Sequence, residues 1–170
     1  MITLEQIEAT RSRLLSLLTY LTDVELNWKP DASSWSISQV VQHIAAVESR
    51  TPEIIQLGLA EEANYVSTEL NLEQRVPDRS TKFNAPPQFH PTDKPKTLEE
   101  LKHILEQSHG KFVQALNSSQ SDSKLDVTSP PMPHPVFGRM STRQWIEVAH
   151  YHEVRHTLQI EELIELQSGQ

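Results

Sequence analysis

The sequence has no cysteine among its 170 residues. Disulfides and thiolate metal ligands are therefore excluded, and any bound metal must be held by nitrogen and oxygen. Glycine is scarce, with four in the chain, and the β-branched residues do not alternate as they would in strands. That composition favours helix over sheet. Long apolar runs are missing as well; none approaches the roughly 20 residues a membrane-spanning helix needs. Met1 to Thr10 shows no basic-then-apolar leader pattern, so a cytoplasmic protein with no membrane association is the expectation. Runs of Lys or Arg are absent, and the formal net charge is −8. Such a surface repels phosphate backbones and anionic lipid, which argues against nucleic acid as a partner.

What is present is helical. The length suits one domain spanning residues 1–170. Ser or Thr followed three residues later by Glu or Gln caps the free amides of a first helical turn. The pattern occurs at Thr3/Gln6, Ser36/Gln39, Thr97/Glu100 and Ser141/Gln144. Apolar residues placed to staple the first turn accompany three of these: Ile2 with Ile7, Trp35 with Val40, and Met140 with Trp145. Helices are predicted over Leu4–Leu21, Ile37–Leu59, Leu98–Leu116 and Thr142–Leu166, each with an apolar stripe recurring at three and four residues. Four such stripes are satisfied together by facing one another around a shared core, an all-α four-helix bundle.

The connections differ. The segment Glu61–Lys96 is long and polar with five prolines, more than neighbouring antiparallel helices require. It predicts a crossing of the bundle that sets the third helix parallel to the second. The same segment carries Tyr65, Phe83 and Phe89, and is read as a wrap over helix ends in preference to a cover over a pocket. Trp28, Trp35 and Trp145 adjoin helix starts and are expected to anchor the core.

The eight histidines are the chemical feature of the chain. Random placement gives roughly 0.4 pairs at spacing four, so the spacing of His152 and His156 carries little by itself. Their position carries more. The seam of the fourth helix runs Trp145, Ala149, His152, His156, Ile160, Leu163, with both imidazoles where apolar residues belong. Side chains four apart on a helix lie one above the other, and two partly dehydrated imidazoles there need a partner. His43 borders the stripe of the second helix and can meet them across the bundle. Two readings stand at this point: three imidazole ligands of a divalent metal, or core histidines each bonded to a carbonyl or carboxylate. His90, His103, His109, His134 and His150 are expected at the surface.

Two stretches resemble the DinB-like superfamily. One is Asn27-Trp28-Lys29-Pro30 with Ser34-Trp35-Ser36-Ile37 leading to His43-Ile44 and Glu48; the other is His134-Pro135-Val136-Phe137-Gly138 leading through Trp145 to His152-Glu153-Val154-Arg155-His156 and Gln159-Ile160. The resemblance covers nearly the whole chain. It implies a four-helix bundle in up-down-down-up order and a site for zinc, nickel or a similar ion with ligands at His43, His152 and His156. It further implies a metal-dependent enzyme, best matched by transferases that use a low-molecular-weight thiol as co-substrate, with a small-molecule substrate. A metal-dependent hydrolase and a non-catalytic, metal-stabilised binding bundle are the alternatives. A homodimer through a helix face is compatible with the pattern. No general base stands out: helical geometry turns Tyr151 and Glu153 away from the ligand face, Arg155 is expected in solvent more than on a substrate, and Gln159 is expected at the core edge more than on the metal.

Overall fold

Each long helix begins at its expected capping box. In the computed structural model, which describes residues 2–119 and 121–169, the helices are α1 (Leu4–Leu18), α2 (Asp23–Asn27), α3 (Ile37–Ala60), α4 (Leu72–Arg75), α5 (Leu98–Ser119), α6 (Lys124–Val127) and α7 (Thr142–Ser168), with a 3-10 turn at Pro87–Phe89. Thr3, Ser36 and Ser141 accept from the third residue's amide, and Gln6, Gln39 and Gln144 bond back. Thr97 and Glu100 do the same for α5. A fifth box at Thr22 and Glu25 starts α2. It explains why the first helix stops at Leu18 and not at the predicted Leu21: the backbone releases at Thr19 and Thr22 begins a new cap.

Hydrogen bonds between helix ends establish the order. The start of α5 is tied to the start of α3 and to α2, through Gln39 on Asp93 and through Asp23 on the Leu98 amide. Helices α3 and α5 therefore leave the same end of the bundle in parallel. The last turn of α7 reaches that end too, where Gln167 donates to the Glu25 carbonyl. Helix α7 thus runs opposite to α3 and α5, and alongside α1. The result is the up-down-down-up bundle, with the 61–96 segment making the crossing. No helix of the described residues is long and apolar enough to cross a membrane.

Helix α3 packs on both α5 and α7. The approach to α7 is close at Gly58, where an added Cβ would overlap the Thr142 side chain, so the smallest residue sets that end of the seam. Two apolar clusters fill the bundle. One is built on Leu14, Leu18, Ile37, Val41, Leu101 and Ile160; the other on Ile7, Ile55, Phe112, Leu116 and Ile146. Burial of such side chains is worth about 1.5–3 kcal/mol each before the entropy of ordering is subtracted.

A buried polar group lies within this interior. Arg11 of α1 makes a bidentate pair with Glu153 of α7 (2.8 and 3.0 Å), and donates to Glu48 of α3 (2.9 Å) and to the Leu105 carbonyl of α5 (2.9 Å). Ser108 and His109 of α5 complete the shell of Glu48. All four long helices are thereby joined by charge-assisted bonds. Burial opposes the charge on Glu48, but His109, Arg11 and Ser108 hold its carboxyl below the ordinary value. At Glu153 burial dominates and raises it despite Arg11. His109 is a correction to the expected surface histidine. Its off-stripe position is covered because Glu48 and Glu8 approach from α3 and α1.

Burial works against a charged His109, yet bonding to Glu48 outweighs it and the pKa lies above 6.5. A raised folded-state value means stabilisation is fully present below about pH 6.5 and is lost as pH rises through the folded pKa. Denaturant melts of the wild-type chain should therefore show stability falling as pH rises above about 6.5 and through the folded-state pKa. His109→Gln should be flatter over the same interval, and an unchanged slope in the variant would contradict the assignment.

Candidate metal centre

The antiparallel seam of α3 and α7 brings His43 opposite the His152–His156 turn, at the other end from Gly58 and Thr142. His43 and His156 are buried and His152 is half-buried. The Nε2 atom of His152 lies 3.0 Å from that of His43 and 3.1 Å from that of His156, and all three ligand atoms lie within 4.8 Å of one another. Metal–imidazole bonds of about 2.0–2.1 Å place neighbouring ligand nitrogens roughly 3.0–3.4 Å apart.

Tautomers decide what these nitrogens can do. Nδ1 of His43 donates to the Phe89 carbonyl (2.8 Å), and Nδ1 of His156 donates to Gln159 Oε1 (2.8 Å). Each ring's proton is thus held on the outer side, leaving Nε2 as a lone pair. His152 faces two such lone pairs and has one proton at most to offer on Nε2. At least one Nε2 lone pair is then left without a donor, a costly arrangement in a dehydrated site. A divalent cation satisfies all three at once. Burial, reinforced by the neighbouring imidazoles, keeps the rings neutral: the His43 pKa is lowered, that of His152 is well below 6.5, and that of His156 is pushed down to about 3. Neutral, preoriented Nε2 donors with outer hydrogen bonds are what a metal site uses.

A cavity of about 520 Å³ opens onto the three rings. Its walls come from α3, α7, the 83–89 strap and the 132–137 loop. Among the described residues no Asp or Glu lines it, whereas Arg50, Arg75 and Arg155 do. Trp35 packs against the His43 ring, with centroids 5.0 Å apart.

Several expectations need correction. The 61–96 segment is a cover as well as a wrap, because residues 83–89 form cavity wall and the Phe89 carbonyl fastens His43. Arg155 is buried, not solvated: it donates to the Val76, Asp78 and Thr81 carbonyls and so braces that segment against α7. Trp35 and Trp145 join the core as expected but also line the cavity. His150 is buried at 7% exposure, since α7 is covered on several sides, by α1, α3, α4 and α6. His134 is half-buried in the cavity wall. His90 and His103 are exposed, as expected. Glu153 points away from the site to Arg11, also as expected. Gln159 serves His156 from outside and does not close the cluster.

The Phe89 carbonyl was beyond sequence reasoning, because a backbone acceptor leaves no residue-type signal. His134 had one: in His-Pro-Val-Phe-Gly the imidazole accepts from the Val136 and Phe137 amides, and Gly138 supplies the positive φ of 69° that closes the turn.

Fold and site together define a helical bundle with a three-imidazole cluster in a cavity wall, compatible with metal binding. Residues 6–160 match the family profile of the DinB superfamily, and the chain belongs to it. The chain is 29% identical over 145 residues to the uncharacterized protein YuaE of Bacillus subtilis (strain 168), covering 85% of this chain and 86% of that one. It also resembles the solved structure described as TT2238, a four-helix bundle protein, with a TM-score of 0.60 and 20% identity over 94% of this chain and 95% of that one. The latter likeness shows the fold alone.

Replacing Gln159 by Leu removes the outer acceptor of His156 while sparing all three ligand rings. Chelator competition should show divalent-metal affinity about 10–100-fold weaker. Unchanged affinity would mean that the His156 tautomer is set without Gln159.

Proposed function

We propose that this chain is a divalent-metal-dependent enzyme and that its reaction is transfer to a low-molecular-weight thiol. The observation that carries the metal reading is the convergence of three Nε2 atoms, two of them lone pairs fixed by outer hydrogen bonds, at the wall of a cavity. His43, His152 and His156 would hold the ion, zinc or nickel being suited to imidazole donors. Such an ion would supply a Lewis-acidic position that favours the thiolate form of a bound thiol at neutral pH.

The protein's own groups do the rest. The thiol proton leaves to solvent through the cavity mouth. The sulfur forms a bond to an electrophilic carbon of the second substrate, whose leaving group departs with the bonding pair. Arg155 and the 83–89 strap hold the cavity wall in place. His43 stays oriented through Phe89.

The cavity's composition ranks the alternatives. Metal-assisted hydrolysis ordinarily needs a positioned base, and no carboxylate lines the cavity among the described residues. A closed structural site needs a fourth protein ligand, and the candidate, Gln159, is engaged with His156 Nδ1. Both observations favour an open site acting on a thiol.

Untagged protein purified without a nickel column should contain about one divalent ion per chain by elemental analysis. His43→Ala and His152→Ala should lose it. Loaded wild-type protein should accelerate thioether formation between a panel of small thiols and 1-chloro-2,4-dinitrobenzene, with both variants at background. Metal in the wild type without thiol turnover, but with 4-nitrophenyl acetate cleavage, would replace the transferase reading with a hydrolase. No metal after incubation with zinc and nickel would overturn both.

A further inference from the structure

The strap over the cavity is slung between the two helices that carry the histidine cluster. At its upstream end Arg155 of α7 donates to the Val76 carbonyl (3.1 Å) and the Thr81 carbonyl (2.6 Å). At its downstream end Gln42 of α3 holds Thr92: its Oε1 receives the Thr92 amide at 3.2 Å and the Thr92 hydroxyl at 3.0 Å. The amide can only donate, so the oxygen of Gln42 faces the strap. Each anchor immediately precedes a histidine of the cluster, His156 and His43. One step along a helix turns a side chain by about 100°. The anchors therefore point out of the imidazole seam while sharing its backbone.

The downstream anchor bears on His43. Within the strap the Phe89 and His90 amides donate to the Pro86 and Pro87 carbonyls (2.9 and 3.1 Å), and His90 Nε2 donates to the Ala85 carbonyl (2.8 Å). Pro91, with its φ locked by the ring, links that turn to Thr92. Residues 85–92 are thus one stiff unit, and the grip on Thr92 decides where the Phe89 carbonyl lies. That carbonyl receives the Nδ1 proton of His43 at 2.8 Å. Without it either nitrogen of the neutral ring can carry the proton, and a proton on Nε2 would cover the atom that faces His152. Gln39 adds a bond to Asp93 (3.0 Å), but its Oε1 is committed to the Ser36 cap. Gln42 has no part in a helix cap, so its hold on the strap can be removed alone.

We propose that Gln42 is a positioning residue for His43: it seats the strap at Thr92, so that the Phe89 carbonyl keeps the ring's proton on Nδ1 and leaves the Nε2 lone pair toward His152. The consequence for metal affinity rests on the metal reading above. The seating and the tautomer are properties of metal-free protein and are measurable without it.

The test compares wild type with Gln42→Met, which fills the space without an acceptor, and Gln42→Glu, which restores one for both Thr92 donors. Long-range proton–nitrogen imidazole spectra of metal-free protein should show His43 as the Nδ1–H tautomer in wild type and Gln42→Glu, and as a mixture in Gln42→Met. Hydrogen exchange of the Phe89 and His90 amides should be about tenfold faster in Gln42→Met, with α3 and α7 unaltered. Zinc affinity by chelator competition should be about tenfold weaker in Gln42→Met, the low end for groups outside the ligand shell, and recover in Gln42→Glu. An unchanged tautomer or an unchanged zinc affinity in Gln42→Met would overturn the assignment. So would a Gln42→Glu chain as impaired as Gln42→Met, or faster exchange spread through α3 and α7, which marks general loosening. If the wild type takes up no zinc, the metal reading falls and the tautomer comparison alone decides this one. Should Gln42→Met not fold, Gln42→Ala, the best helix former, takes its place.

Discussion

The antiparallel packing of α3 on α7 is the constraint on which the site depends. Gly58 against Thr142 fixes how closely the two helices approach at one end. Toward the other end the same seam sets His43 against two imidazoles one turn apart on α7. Helix geometry then leaves little freedom: residues four apart share a face, so placing one imidazole in the seam places the other. The crossing segment adds the second constraint, because its Phe89 carbonyl fixes the proton on His43. Ligand orientation and cavity cover are thus parts of one structure.

The bundle buries two polar groups and handles them differently. Around Arg11, two carboxylates, a guanidinium, a hydroxyl and the Nδ1 side of an imidazole meet with donors matched to acceptors, while His109 Nε2 approaches Glu8 at 3.3 Å without a hydrogen bond. Such a set joins four helices at little net gain, but breaking it from one side costs about 3–5 kcal/mol. Around His43, His152 and His156 the match fails, with more lone pairs than protons and, among the described residues, no carboxylate in the cavity wall to compensate. The second cluster is the one whose lone pairs a divalent cation would match.

Most of the architecture was legible because it is written in short-range rules. The capping boxes located all four long helices, and the stapled pairs Ile2/Ile7, Trp35/Val40 and Met140/Trp145 each fall within one apolar cluster. The proline-rich crossing set α5 parallel to α3. The box at Thr22/Glu25 carries the same signal, and it ends α1 about one turn before the predicted Leu21. The three histidines were legible as polar residues in apolar positions. What sequence could not supply was coverage of the outer faces. Arg155, His109 and His150 lie off the stripes of their helices and His134 lies in a loop, and burial of the first three depends on segments distant in sequence. Arg155 is enclosed by the 76–81 carbonyls and His109 by residues of α1 and α3. Helical periodicity reports one buried face and is silent about a second one created by a long connection.

On the proposed function, the Nε2 atoms of His43, His152 and His156 hold a divalent ion with coordination positions left for a substrate. Zinc-edge X-ray absorption on the loaded protein tests it directly. Three histidine nitrogens at about 2.0–2.1 Å are expected together with at least one light-atom ligand from solvent, and a change in that remaining shell when a small thiol is added. A shell closed by a fourth protein ligand and unmoved by thiol, or one without three imidazoles, would contradict it.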